Sequence, residues 1–128
     1  MQKIPHRLWI ALIALAAVGA LTVTAGLGQA AAPALKKVEN RKVCMITDHA
    51  FDKDQIPVKV EGRTYYGCCE MCKERLAKDA SSRTALDPVT GNKIDKAQAV
   101  IAAQADGSVV YFESDKTLER YLKGERKK

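Results

Sequence analysis

The chain has 128 residues, enough for one small domain or two very small lobes, and a formal charge of +6 from 21 basic and 15 acidic side chains. The excess is mild and interleaved with acids, as in Lys53-Asp54 and Lys73-Glu74-Arg75, so a nucleic-acid surface is not expected. All four cysteines fall between residues 44 and 72, so any covalent or metal staple belongs to the first half.

Lys3, His6 and Arg7 form a short basic start, Leu8 to Ala25 is apolar and uncharged, and small residues follow, with Gly28 and Ala30 at the −3 and −1 positions of a cleavage site. This pattern predicts a secretory signal over residues 1–30. The alternative is an uncleaved anchor, since eighteen helical residues span roughly 27 Å, close to a bilayer core. Either way the remainder is expected outside the cytoplasm, periplasmic or secreted, touching a membrane only if the segment is retained. Loss of Lys3 and Arg7, with no acid, would lower the charge from +6 to +4.

Residues 31–41 read as a linker, small residues and a proline followed by charge. Lys42 to Ile46 is expected as a short strand entering a knuckle. Val58-Lys59-Val60 and Arg63-Thr64-Tyr65-Tyr66 suggest a hairpin about Glu61-Gly62, because glycine tolerates the positive φ of such a turn. A helix is expected from about Cys69 to Lys78. A second round then begins at Leu86. Asp87-Pro88-Val89-Thr90-Gly91 is a turn, Ala97–Ala103 and Ser108–Phe112 form a hairpin about Asp106-Gly107, and Ser114 caps a helix over Asp115–Lys123 stopped by Gly124. Residues 124–128 close the chain as a solvated basic tail.

The two rounds align. Cys44-Met45-Ile46-Thr47-Asp48 lies over Asp87-Pro88-Val89-Thr90-Gly91, and Glu61-Gly62 over Asp106-Gly107, which sets Cys68 over Glu113 and Cys72 over Thr117. The expected fold is α+β, two small ββα units, each needing its neighbour to bury its apolar face.

The chemistry lies in Cys44 and in Cys68-Cys69-Glu70-Met71-Cys72. Cys68 precedes a helix and Cys72 sits one turn into it, on the same face. The free amides of that first turn favour thiolates there. Three thiolates suit a soft or borderline ion, Cu(I) or Zn(II), and zinc wants a fourth ligand. Cys69, His49, Asp48 and Met45 are the candidates, Cys69 and His49 foremost. Met45 and Met71 are otherwise packing residues. The competing reading is a disulfide staple or a thiol-redox C-x-x-C at Cys69 and Cys72. Enzyme chemistry is not expected. His49 is the only histidine beyond the leader, and Asp52, Asp54 and Glu61 read as loop and turn charges.

On these residues, Cys44 to Ala77 resembles a TRASH domain, with its single cysteine, aromatic pair Tyr65-Tyr66 and C-x3-C; the unit is bounded at 42–80. Asp87 to Leu122, within 86–123, resembles the sister YHS domain, with Thr90, Glu113 and Thr117 where cysteines are common. The resemblance implies treble-clef-like zinc-finger repeats and a role in heavy-metal trafficking, resistance or sensing. It carries metal binding onto Cys44, Cys68 and Cys72 alone. The implied partners are the ion and a protein that donates or accepts it.

Overall fold

The computed structural model describes residues 34–128; the signal or anchor expectation lies outside them. Among the described residues, no helix is long and apolar enough to cross a membrane. Among the described residues the fold is α+β, with nine short strands and two α-helices.

Segment 36–38, expected within a linker, is instead the edge strand β1 (Lys36–Val38). It pairs antiparallel with a strand of the second half, Lys36 opposite Ala103 and Val38 opposite Ile101. Its exposed lysines disguise it, and such charges also protect a sheet edge from further pairing. The next strand is shorter than expected: β2 holds only Val43–Cys44 and pairs with β3 (His49–Ala50). Met45 leaves the ladder because its N–H donates to Tyr66 O at 2.8 Å, and the chain turns back at Asp48, where φ is +51°.

β4 (Ile56–Val60) and β5 (Arg63–Gly67) form the expected hairpin, turned by Glu61-Gly62, both at positive φ. Val58 and Tyr65 face each other across the ladder and are buried. Helix α1 (Glu70–Lys78) follows at once, with Cys69 at its N-cap position, and is anchored by the fully buried Leu76. Gly67 makes this abrupt join fit. A Cβ there would lie 3.0 Å from Cys72 Cβ and 3.1 Å from Lys73 N.

The second half repeats the order short hairpin, longer hairpin, helix. β6 (Thr84–Leu86) pairs with β7 (Lys93–Asp95), and β8 (Val100–Ala103) with β9 (Val109–Phe112). Then comes α2 (Asp115–Leu122), whose Ser114 and Thr117 form a reciprocal capping box. β8 starts later than expected because Asp95 turns the chain, its side chain accepting Ala97 N–H at 2.9 Å. The sheet order β1-β8-β9 places the strand from the first half on the second hairpin.

One core cluster draws Val43, Met45, Val58, Tyr65 and Leu76 from the first half and Ala99, Ile101, Val109 and Tyr111 from the second. A smaller one joins Phe112, Leu118 and Tyr121. The buried Lys96 braces the two halves. Its ammonium donates to Met45 O at 2.7 Å and Asp48 Oδ1 at 2.6 Å, and lies 5.0 Å from the Tyr111 ring centroid. The Tyr111 hydroxyl also donates to Asp48, at 2.7 Å. Lys96→Met keeps the stem's volume but leaves the Met45 carbonyl without its donor, so a loss of about 2 kcal/mol in urea unfolding is expected.

Candidate metal centre

Two elements bring the thiols together. Cys44 ends β2 and is fully buried. Its sulfur accepts the Cys68 N–H at 3.3 Å, and the knuckle that follows adds the Ile46 and Thr47 N–H groups and the Thr47 hydroxyl. Cys68 lies between β5 and the helix, exposed, and Cys72 is buried in the first turn of α1. Cys68 Sγ and Cys72 Sγ are 3.6 Å apart, and the three sulfurs of Cys44, Cys68 and Cys72 all lie within 4.8 Å of one another. A tetrahedral zinc with Zn–S bonds near 2.3 Å separates its sulfurs by about 3.8 Å, so the donor set fits such an ion with only small side-chain adjustment. All four cysteines are thiols in this structure, with Cys69 Sγ and Cys72 Sγ 3.4 Å apart.

The electrostatics differ from the sequence-based expectation, which assigned the stabilised thiolates to Cys68 and Cys72. Burial pushes the Cys44 thiol up, but the Thr47 hydroxyl and the Thr47 and Ile46 amides outweigh it and bring it down to about 7. Burial pushes Cys72 up to about 12, reinforced by thiol hydrogen bonds to Cys69 and Cys68 and by negative charge at Cys44. The hydrogen bond with Cys44 and burial raise Cys68. Cys69, at the N-cap position, is lowered by the neighbouring Cys72 amide and thiol. The knuckle amides therefore stabilise negative charge on Cys44, and the protons held by its neighbours are those a cation would displace.

Of the candidates for a fourth position, His49 is not brought to the cluster. Its backbone pairs with Cys44, but its imidazole points the other way, edge-on to Phe51 with ring centroids 5.1 Å apart and over Gly107, where a Cβ would meet its Cε1 at 2.5 Å. Asp48 is engaged by Lys96 and Tyr111, and Met45 is fully buried in the core. Cys69 stands outside the three-sulfur group but touches it through Cys72. Asp54 pairs with Arg41 and Lys42, and Glu61 forms the hairpin turn.

The second half shows what replaces the thiols. Asp87, fully buried, stands where Cys44 stands. Its Oδ1 accepts Val89 N–H at 2.7 Å and Thr90 N–H at 3.2 Å, and its Oδ2 accepts Glu113 N–H at 2.8 Å. These donors match Ile46, Thr47 and Cys68 position for position around the first sulfur. The counterpart of Cys44 is thus Asp87 rather than Thr90, which instead corresponds to Thr47. Glu113 turns its side chain to Asn92 Nδ2 at 2.8 Å, and Thr117 bonds within the cap of α2. Asp87 and the amide donors were missed from sequence, although the alignment of Asp87 with Cys44 was the available signal.

No protein-family model, curated protein or solved structure matches the chain.

Proposed function

We propose that this is an exported protein that binds one soft metal ion, Cu(I) or Zn(II), for trafficking, resistance or homeostasis rather than for catalysis. The observation that carries the reading is the convergence of Cys44, Cys68 and Cys72 sulfurs, from a knuckle and a helix start, within 4.8 Å. The ion would supply a positive centre that draws three thiolates together and expels their protons. The protein's residues supply the rest. The knuckle amides and Thr47 orient Cys44, Gly67 sets the helix start against the strand, and Lys96 fixes the knuckle from the second half. The twice-used order of two hairpins and a helix supports reading the halves as treble-clef-like TRASH and YHS units, the second having replaced its metal with the Asp87 hydrogen bonds. The apolar segment Leu8–Ala25 supports export.

Protein purified under reducing conditions is expected to hold one ion per chain, and Cys44→Ser, Cys68→Ser and Cys72→Ser are each expected to weaken binding by at least about tenfold, or 1.4 kcal/mol. Stoichiometric, unweakened binding in all three variants would sink the assignment. The second reading, a thiol-redox or disulfide-stapled interaction module, is favoured by the 3.4 Å approach of Cys69 and Cys72. Counting free thiols before and after reduction separates the two, since four free thiols in freshly exported protein would oppose it.

A further inference from the structure

Resting on that reading, we propose that Cys69 is the exchange ligand through which the bound ion passes to a thiol-bearing acceptor. Among the resident ligands, Cys44 and Cys72 are buried and only Cys68 is exposed. An acceptor can therefore approach only from the side of the helix start. On that side stands one further thiol, Cys69, exposed and 3.4 Å from Cys72, while Cys72 itself lies 3.6 Å from Cys68. The sulfurs of Cys44, Cys72 and Cys69 thus run from the buried end of the group to solvent, with the exposed Cys68 beside them. Met71, 80% exposed on the first turn of α1, adds a soft thioether to the same stretch of chain.

Transfer follows by ligand replacement without redox change. A metal–sulfur bond to Cys69 forms as the bond to Cys44 breaks, while Cys68 and Cys72 keep hold of the ion. The Cys69 proton passes to solvent, and Cys44 is released into the amides that stabilise it. The ion now sits at the surface, where an acceptor thiolate can displace the remaining sulfurs in turn. With Cys68 the one exposed sulfur of the three, an acceptor reaches the three-sulfur site through that thiol alone. The fourth thiol provides a lower path, so it changes the rate of handover and not the depth of the site.

The full chain is tested as wild type, Cys69→Ser and Cys69→Ala, loaded with Cu(I), or with Zn(II) if that is the ion the wild type retains. Serine is a good helix cap, so the first variant should leave α1 intact. Release is followed by colour with excess bicinchoninate for Cu(I) or pyridylazoresorcinol for Zn(II), and the equilibrium affinity is measured by competition with the same chelators. Both variants are expected to release the ion about tenfold more slowly. Their affinities should stay within about threefold of wild type, unlike Cys44→Ser. An unchanged release rate overturns the inference and leaves the metal site standing. An affinity loss as large as that of Cys44→Ser overturns it too, by making Cys69 a resident ligand. A wild type that binds neither ion removes the metal reading and this inference together.

Discussion

Asp87→Ala is expected to lower the unfolding free energy by about 4 kcal/mol, a large share of what a domain this size possesses. Three backbone N–H groups, of Val89, Thr90 and Glu113, converge on one fully buried carboxylate. Alanine leaves all three without an acceptor, and each buried orphan costs about 1–3 kcal/mol. Asp87→Asn keeps one acceptor oxygen and should lose about half as much. Urea unfolding at neutral pH checks both, and a loss in the alanine variant under about 1 kcal/mol would mean that the carboxylate does not organise the second half. The pH dependence has a definite sign. Burial pushes the Asp87 carboxyl up, but the Glu113 and Val89 amides, the Thr117 hydroxyl and the Thr90 amide outweigh it and hold the group below its ordinary value. A depressed folded-state value gives stability that is fully present above the unfolded carboxyl's range, near pH 4. It is lost as pH falls through the folded value. The gap between wild type and Asp87→Asn should therefore narrow only below about pH 4.

Much of this arrangement was legible in the sequence because it rests on local rules. Glycine-bearing turns set both hairpins, Ser114 marked its helix, and the spacing of Cys68 and Cys72 put two thiols together at one helix start. What stayed hidden depends on tertiary pairing. Strand β1 looks like a charged linker until β8 is present to pair with it. The His49 side chain cannot be placed without knowing that the Asp106-Gly107 turn, nearly sixty residues later, packs against it. Thr47 and Lys96 carry no motif, yet one donates to the Cys44 sulfur and the other holds the same knuckle from the opposite half. The distribution of charge among the thiols was hidden for a related reason. It follows from which amides reach which sulfur, and the helix start serves Cys69 while the knuckle serves Cys44.

Metal is expected to stabilise the protein by about 4 kcal/mol when the free ion stands a thousandfold above its dissociation constant, less whatever the unfolded thiols retain. The increment is read as the difference in urea midpoint with and without ion, and Cys44→Ser should abolish it. Comparing increments rather than absolute midpoints cancels the cost of placing a hydroxyl in the buried Cys44 position. The increment should also shrink as pH falls. Cys72 is held up to about 12 without metal, so at neutral pH an ion must displace its proton, and a more acidic solution makes that displacement harder. An increment that survives Cys44→Ser, or one that ignores pH, would contradict thiolate coordination. Amide exchange adds the spatial part. The halves share one core, so global unfolding slows throughout. Extra protection against local opening should appear only at residues whose amides the site orders, Ile46, Thr47, Cys68 and the first turn of α1. Val89, Thr90 and Glu113 should show none, because their amides already bond to Asp87 before any ion arrives. A protection pattern confined to the first half would therefore separate an ion held at the thiols from a general stabilisation of the shared core.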